Sequence, residues 1–262
     1  MTQSELDVKA LIASDERVYA HGNHSTTYLF FPAQKDTSDR RLMVSFGAYG
    51  GSYNRIRGYY EALHENWDLL YLLDRGGYEK QGCYYLAASG DYGIESMYES
   101  LILDIISQTG LSKDKVYFLG SSMGGFAAMY YGAKMDIGKV VAICPLMAIG
   151  ALYSTKSPKL LESIVGPTPI DIDEKILSVF KRRLPTQFHI IYGIDDDKLI
   201  VARLGDIIKS FVEHRTMYTV ESYDIDRPDN VSAHNATVYI VNYPEVAKKL
   251  AMDLHFRQPE PA

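Results

Sequence analysis

A Gly-x-Ser-x-Gly pentapeptide, formed by residues 120–124, directly follows an apolar run over 116–119. This order predicts a strand that turns sharply into a helix and holds one serine in a strained, exposed position. Small residues flank such a turn because backbone passes close to it. Ser122 is the serine in register, and its hydroxyl could act as a nucleophile. The alternative reading is a glycine-rich turn between a strand and a helix that carries no chemistry.

A serine hydroxyl is a poor nucleophile at neutral pH, so it needs an imidazole to take its proton and a carboxylate to orient that imidazole. Both groups follow Ser122 in the chain. An acidic run over 195–197 comes after a predicted strand over 188–192, and His234 lies in a polar loop after the last predicted core strand. The order serine, acid, histidine, each after a core strand, is typical of the α/β-hydrolases.

The acid is ambiguous among three neighbours, Asp195, Asp196 and Asp197. We assign Asp196, because the usual pattern after this strand is Gly-x-x-Asp and position 196 is the third after Gly193. Asp195 is the second choice. A helix N-terminus also favours acids for capping and for its dipole, which would explain two of the three without any catalytic role.

Seven histidines compete for the role of base. Only His234 lies in a loop after the last predicted strand and C-terminal to the acid. A loop histidine is usually just solvated, but this position in the chain order favours His234. The others lie before the third strand, near helix ends, inside a strand or within a helical segment: His21, His24, His64, His189, His214 and His255.

A tetrahedral oxyanion needs two preorganised backbone donors. One is expected to be the amide of Met123, the residue after the nucleophile. The other is expected from the loop after the third predicted strand, here Gly47 and Ala48, because glycine lets a backbone approach a substrate closely. The alternative for this segment is an ordinary flexible loop.

The charge balance gives no sign of a nucleic-acid or membrane-surface partner and leaves local basic patches open. The 262 residues carry 27 basic and 33 acidic side chains, and 47% of them are hydrophobic. A net charge of -6 gives no electrostatic footprint for nucleic acid or an anionic membrane.

No apolar run approaches the ~20 residues that cross a bilayer, and no secretory signal is visible. We expect a cytoplasmic protein without a metal site, and its two cysteines, Cys83 and Cys144, do not suggest a disulfide framework.

Predicted strands and helices alternate along the chain, which indicates an α/β fold with a mainly parallel sheet and helices on both faces. The strands are expected at residues 17–20, 27–31, 42–46, 68–73, 116–119, 140–144, 188–192 and 218–223, with 84–88 as a strand or an extended loop. The helices are expected at residues 53–64, 94–110, 126–133, 200–211 and 242–254.

One domain over residues 1–262 is expected, since α/β folds of this length often form a single domain. Residues 147–185 depart from the alternation and hold two short helix candidates, at 160–164 and 176–184. An excursion between core strands is where a cap over an active site would be inserted. A surface decoration is equally compatible with this segment.

Several segments carry a resemblance to a known family. They read LMVSFGAY, WDLLYLLD, GCYYL, LGSSMGG and YGIDDD, in that order, and the His234 loop follows them. The chain resembles the small α/β-hydrolase-fold O-acetyltransferases that modify bacterial capsular polysaccharides. It is also similar to the catalytic part of the accessory Sec system protein that O-acetylates N-acetylglucosamine on adhesins. The Tyr-Tyr segment and the early strand with its loop point to this subgroup.

The resemblance implies a two-step exchange in which Ser122 takes an acetyl group from acetyl-CoA and passes it to a sugar hydroxyl activated by His234. The residues alone indicate only acyl transfer to water or to an alcohol. No phosphate-cradling loop is evident, so Arg55, Arg57 and Arg75, near strand termini, are the candidates for the phosphates of coenzyme A. Rings that could stack on sugars fall in nearby loops: Tyr49, Tyr53, Tyr84 and Tyr92.

Two other functions stay open at this point. A carboxylesterase or deacetylase would use the same three residues, because water or a sugar can intercept an acyl-enzyme according to the shape and dryness of the pocket. A non-catalytic adaptor in a glycan or secretion complex would keep the fold without the chemistry, and the complete order of the three residues argues against it. A homo-oligomer is also left open.

Overall fold

The computed structural model describes residues 7–53, 55–167, 171–194, 198–223 and 234. These residues contain eight strands in one sheet: β1 (Glu16–His21), β2 (His24–Phe31), β3 (Arg41–Phe46), β4 (Trp67–Leu72), β5 (Val116–Ser121), β6 (Lys139–Ile143), β7 (Gln187–Gly193) and β8 (Tyr218–Tyr223). Their order across the sheet is β1-β2-β4-β3-β5-β6-β7-β8. The pairs β1–β2 and β2–β4 are antiparallel and the others are parallel, so the predicted mainly parallel sheet is confirmed.

The described helices are α1 (Val8–Asp15), α2 (Ile56–Leu63), α3 (Gly93–Thr109), α4 (Met123–Met135), α5 (Ile149–Lys156), α6 (Pro158–Val165), α7 (Ile172–Ser178) and α8 (Lys198–His214). The sequence prediction missed α1 and α5. It also began the helix after the serine three residues late, since α4 starts at Met123. The segment 84–88 is no strand, because Tyr84 and Tyr85 have φ values of 60° and 58° and form a turn.

Helices cover both faces of the sheet, as predicted. Along β3, Leu42, Val44 and Phe46 pack with α3 and α4, whereas Met43 packs with α2 on the opposite face. This alternation follows from the two-residue period of a strand, and it explains why the run is apolar on both sides. The helix predicted over 242–254 lies outside the described residues.

The connections place one crevice at the carboxyl edge of the sheet. After β3 the chain moves to β4 on one side, and it then returns to β5 on the other side of β3. The two strands are parallel, and Phe46 lies opposite Gly120 at their ends. Ligands of open α/β sheets bind where the strand order reverses in this way. The loop after β3 and the turn after β5 therefore share the crevice.

The excursion over 147–185 holds α5, α6 and α7 between β6 and β7. Its helix α6 contacts the loop that follows β4: the Ser89 amide donates to the Ser163 carbonyl at 2.7 Å, and the Gly90 amide donates to the Ile164 carbonyl at 2.8 Å. Backbone bonds of this length fix the excursion against that loop. A role as a cap stays a prediction, as does the extent of the single domain.

Glu95, in the first turn of α3, ties this excursion to the core. Its buried carboxylate accepts hydrogen bonds from Tyr130 Oη at 2.8 Å, Lys134 Nζ at 2.7 Å and Lys175 Nζ at 3.1 Å. Burial by itself raises the pKa of Glu95, but the bonds from Lys134 and Tyr130 and the charges of both lysines outweigh it. The pKa of Glu95 is therefore held below its ordinary value of 4.5.

Replacing Glu95 with glutamine is expected to lower the free energy of unfolding by about 2 kcal/mol at neutral pH, since charged hydrogen bonds to a buried group are lost. The lowered pKa means that this stabilisation is present above pH 4.5 and is lost as the pH falls through the folded-state pKa. Urea unfolding of both proteins over a range of pH measures the gap. Glu99→Gln, which removes only a half-exposed partner of Lys134, is the matched control. If the difference in free energy of unfolding between the wild type and Glu95→Gln did not shrink at acid pH, the stabilising role of the ionised Glu95 would be contradicted.

In the described part of the chain, none of the helices has both the length and the apolar character of a membrane span. Within the same residues, no three His, Cys, Asp or Glu side chains gather where they could bind a metal ion.

Candidate active site

Ser122 lies at the junction of β5 and α4, in the turn that the pentapeptide predicts. Its φ of 55° and ψ of -119° belong to a region that L-residues rarely adopt. The turn is held from several sides, because the Ser122 amide donates to the Ile143 carbonyl at 2.8 Å and the Ser122 carbonyl accepts from Phe126 at 3.0 Å. The strain is thus imposed by the end of β6 and by the first turn of α4.

The glycines of the pentapeptide are required by close backbone contacts. A Cβ on Gly120 would lie 2.1 Å from the Gly124 carbonyl oxygen, and a Cβ on Gly124 would lie 2.4 Å from the Phe46 carbonyl oxygen. Both separations are far below van der Waals contact, so no other residue fits without moving backbone. The Gly124 contact also shows that the turn after β5 touches the end of β3.

The structure brings His234 to the serine. His234 Nε2 lies 2.9 Å from Ser122 Oγ, which is within hydrogen-bond distance. In the tautomer with its proton on Nδ1, the imidazole accepts from the hydroxyl and can take its proton. These two residues are separated by 112 positions in the chain, so the contact is a product of the fold.

Three of the competing histidines that the structure describes have other partners. His24 Nε2 lies 3.1 Å from Asp91 Oδ2, His64 Nε2 lies 2.8 Å from the Pro32 carbonyl, and His189 Nδ1 contacts Thr219 Oγ1. His21 lies at the end of β1 and His214 at the end of α8, and His255 lies outside the described residues. The sequence argument that chose His234 by its position in chain order agrees with this distribution.

The candidate acids, Asp195, Asp196 and Asp197, lie outside the described residues. The strand before them, β7, ends at Gly193 and pairs with β6, whose own end supports the Ser122 turn. The assignment of Asp196 as the triad acid therefore stays a prediction.

Of the three predicted oxyanion donors, Met123 and Ala48 stay predictions. The Met123 amide is the first of α4, where the partial positive charge of the helix N-terminus favours a developing anion. The Gly47 amide, by contrast, donates to the Leu72 carbonyl at 3.0 Å, so it is committed to the sheet in this structure. Gly47 is therefore corrected as a donor, and the assignment of Ala48 stays a prediction. Gly47 instead serves the close packing at this point, since its Cβ would lie 3.0 Å from the Ser52 carbonyl oxygen.

Asp74 organises the loop beside this site, a role that the sequence analysis missed. Its buried carboxylate accepts from the amides of Gly76 at 2.9 Å, Cys83 at 2.7 Å and Tyr85 at 2.8 Å. Burial raises the pKa of Asp74 above its ordinary value of 3.8, and these amide bonds act in the opposite direction. The DRGG sequence after β4 is the signal that could have identified it, because Asp followed by glycines is typical of a tight loop.

Tyr85 connects the loop that follows β4 to the loop that follows β3, where an oxyanion donor is expected. Its hydroxyl donates to the Gly47 carbonyl at 3.0 Å, and its own carbonyl accepts from Tyr131 Oη at 2.6 Å. The same loop contacts Met123 directly, since a Cβ on Gly82 would lie 2.6 Å from Met123 Sδ. The loop over 74–85 thus holds both backbone segments that are expected to face the oxyanion.

The three predicted phosphate-binding arginines lie around the loop after β3. Arg55 precedes α2 with a φ of 62°, and Arg57 Nε lies 3.2 Å from Glu61 Oε1 within α2. Arg75 Nε donates to the Gly51 carbonyl at 3.4 Å. Arg75 is therefore beside the candidate site, whereas Arg57 is paired with an acid. Binding of a phosphate by any of them stays a prediction.

The four predicted stacking tyrosines differ in exposure, and their contact with a sugar stays a prediction. Tyr49 is exposed, but Tyr84 is fully buried and its hydroxyl contacts Tyr153 Oη at 2.5 Å. Tyr53 donates to Glu16 at 2.9 Å, and Lys175 Nζ lies 4.6 Å from the centre of the Tyr92 ring. The buried ring of Tyr84 is therefore closed to a sugar, whereas Tyr53 and Tyr92 are half-buried. Loop position alone could not reveal this, because the loops themselves are folded inwards.

Comparison with solved structures gives a consistent fold. The capsule O-acetyltransferase of Neisseria meningitidis serogroup A is 21% identical, with a TM-score of 0.68 over 89% of this chain and 94% of that chain. A variant of that enzyme in complex with CoA gives 21% identity and a TM-score of 0.65 over 90% and 94%. The Glycosylation Associate Protein complex from Streptococcus agalactiae is 16% identical, with a TM-score of 0.67 over 93% of this chain and 47% of that chain.

An esterase with a bound phosphonate inhibitor, esterase B from Lactobacillus rhamnosis, is 16% identical, with a TM-score of 0.64 over 94% of this chain and 88% of that chain. No protein-family model matches the sequence, and no curated protein matches it either. At these identities the likeness shows the fold, and the predicted α/β-hydrolase fold is confirmed. The neighbours include both kinds of protein that the sequence resembles.

Proposed function

We propose that this chain is a serine acyltransferase that moves an acetyl group from acetyl-CoA to a hydroxyl of a bacterial surface glycan. One observation carries the proposal: Ser122 stands on a strained turn with its Oγ 2.9 Å from His234 Nε2. A nucleophile and a base at this distance, above the carboxyl edge of a parallel sheet, are the arrangement that acyl transfer requires. Asp196 is the proposed acid that orients His234, with Asp195 as the alternative.

In the first step His234 Nε2 takes the proton of Ser122 as Oγ attacks the acetyl carbonyl carbon. The resulting oxyanion is stabilised by the amides of Met123 and Ala48. The tetrahedral intermediate then collapses, the bond from carbon to the donor sulfur breaks, and the leaving thiolate takes the proton from His234. The product is acetyl-Ser122 and free thiol.

In the second step a hydroxyl of the acceptor gives its proton to His234 Nε2 and attacks the acetyl-Ser122 carbonyl. The same two amides stabilise the second oxyanion. Collapse breaks the bond between the acetyl carbon and Ser122 Oγ, and His234 returns the proton to that oxygen. The acceptor leaves as an acetyl ester and the enzyme is restored.

The proposed acetyl donor and acceptor are taken from the structural similarity of this chain to a capsule O-acetyltransferase. A capsule O-acetyltransferase shares the fold over nearly the whole length of both chains, and its variant was solved with CoA. Arg75, beside the loop after β3, is the best placed of the three arginines to meet an anionic donor. These points support acetyl-CoA and a glycan for this chain.

A carboxylesterase or deacetylase is the second candidate. It is favoured by the fold likeness to esterase B, whose alignment covers most of both chains. The contact between Ser122 and His234 serves both reactions equally, because the two differ only in what attacks the acyl-enzyme. The same contact argues against a non-catalytic adaptor.

The proposal is tested by measuring whether water or a glycan takes the acetyl group from the acyl-enzyme. We expect acetyl-CoA to release free thiol in a burst of about one equivalent per active site, followed by a slow phase that glycan acceptors accelerate. Thiol release and glycan acetylation are measured together, with Ser121→Ala as the matched control for the neighbouring serine of the pentapeptide. Rapid turnover of aryl acetates with no use of acetyl-CoA would favour the esterase. No burst with either donor would contradict both.

A further inference from the structure

Two exposed aromatic rings lie on the loops that follow β3 and β4, next to the segments expected to face Ser122. Among the side chains that the structure describes, Tyr49 and Tyr78 are the most exposed aromatic ones, at 44% and 37%. Large aromatic side chains are usually buried, and their exposure on neighbouring loops favours a binding role. The sequence analysis named Tyr49 as a stacking candidate and missed Tyr78.

The loops that carry these rings are joined to each other. The Gly50 amide donates to the Gln81 carbonyl at 3.0 Å, and the Tyr49 hydroxyl donates to the side-chain oxygen of Gln81. Tyr49 directly follows Ala48, the proposed oxyanion donor. Tyr78 begins the short helical turn that leads through Gln81 to Gly82, which contacts Met123. Both rings are therefore attached to the backbone that surrounds Ser122.

Tyr78 also touches the excursion. Its amide donates to Ser163 Oγ at 3.1 Å, and Lys159 Nζ lies 5.9 Å from the centre of its ring. Both of these partners belong to α6. Tyr78 therefore lies where the loop after β4 meets α6. A molecule that contacts its ring would also lie beside the excursion over 147–185.

The charge of the Glu79 carboxylate acts on the hydroxyl groups of both Tyr49 and Tyr78. The hydrogen bond to Glu79 and the charge of Glu79 raise the pKa of Tyr78, and burial and Tyr49 add to the effect. Burial and the charge of Glu79 raise the pKa of Tyr49. A carboxylate near both rings can accept hydrogen bonds from neutral hydroxyl groups.

We propose that Tyr49 and Tyr78 form a stacking platform for the acceptor sugar of the transferase. This inference rests on the proposed function and adds the residues that select a sugar over water. The C–H face of a pyranose packs on an aromatic ring, and tyrosine supplies that surface with little loss of conformational freedom. Glu79 and Gln81 would accept or donate hydrogen bonds at the sugar's edge.

The test separates binding of the acceptor from acylation. Tyr49→Ala, Tyr78→Ala and their matched phenylalanine variants are acylated with 4-nitrophenyl acetate, and the burst of nitrophenol measures acetyl-Ser122. Deacylation is then followed with a panel of methyl glycosides of N-acetylglucosamine, N-acetylmannosamine, galactose and glucose. Saturation-transfer NMR measures binding of the same four compounds to the intact protein.

We expect at least one glycoside to accelerate deacylation of the wild-type enzyme, with its half-saturating concentration raised roughly 5- to 10-fold by each alanine variant. The phenylalanine variants keep the ring and are expected to stay within about threefold of the wild type. Alanine variants with unchanged half-saturation, or phenylalanine variants as impaired as alanine, would overturn the platform. So would a normal burst with no response to any glycoside. Absence of the burst in the wild type would instead overturn the proposed function.

Discussion

Replacing Ser122 with alanine is expected to lower kcat/KM for aryl acetates roughly 10⁶-fold, to the level that oxyanion donors and binding alone sustain. The physical reason is that alanine has no hydroxyl on which the proposed acyl intermediate could form. Steady-state hydrolysis of 4-nitrophenyl acetate, with thermal unfolding to confirm the fold, measures the effect. The variant is expected to be as stable as the wild type, because the turn is held by backbone bonds to Ile143 and Phe126.

Ser121→Ala is the matched control, since this buried serine precedes Ser122 in the same pentapeptide and belongs to β5. It is expected to leave kcat/KM essentially unchanged. If the alanine at 122 retained the wild-type rate, or if the alanine at 121 caused the larger loss, Ser122 would not be the nucleophile.

Replacing His234 with alanine is expected to lower kcat/KM to nearly the same extent as the loss of Ser122. In the proposed mechanism the two residues act as a unit through the 2.9 Å contact, so the serine without its base is a poor nucleophile. Effects within such a unit are far from additive, and the double variant is therefore expected to be no slower than either single variant. Kinetics of the three variants with one aryl ester measure this.

The control for the base is His214→Ala, which removes a histidine from the end of α8. Its activity is expected to equal that of the wild type. Additive losses in the double variant would show that Ser122 and His234 act independently, and the proposed mechanism would then fail.

The sequence predicted the sheet well for a physical reason. Buried parallel strands are short apolar runs, and all eight predicted strands other than the 84–88 alternative lie on observed ones. The elbow was also predictable, because Gly120 and Gly124 are dictated by backbone contacts as close as 2.1 Å and 2.4 Å. Chain order then selected His234 from seven histidines.

Loop architecture was not predictable in the same way. Tyr84 and Tyr85 resemble a strand by residue type, but the buried Asp74 carboxylate binds the amides of Cys83 and Tyr85 and forces positive φ values nearby. The commitment of the Gly47 amide to Leu72 likewise depends on the neighbouring strand and not on local sequence. Tertiary hydrogen bonds overrode local propensity at both points.

Helices α1 and α5 were missed for related reasons. The helix α1 has no fully buried residue, and only Val8, Leu11 and Ile12 pack against the core, so its apolar pattern is weak. The start of α5 depends on Asp173, which accepts from the amides of Gly150 and Ala151 at 2.8 Å each. That capping residue comes from α7, more than twenty positions later, where a local pattern cannot reveal it.

The most direct test of the account is to trap the acyl-enzyme with acetyl-CoA and locate the acetyl group. Rapid acid quenching, intact mass measurement and peptide mapping would be applied to the wild type and to Ser122→Ala. The account predicts a single acetyl adduct on the peptide that contains Ser122, absent from the variant and discharged by a glycan acceptor. An adduct on another residue, or one that forms equally in the Ser122→Ala protein, would contradict it.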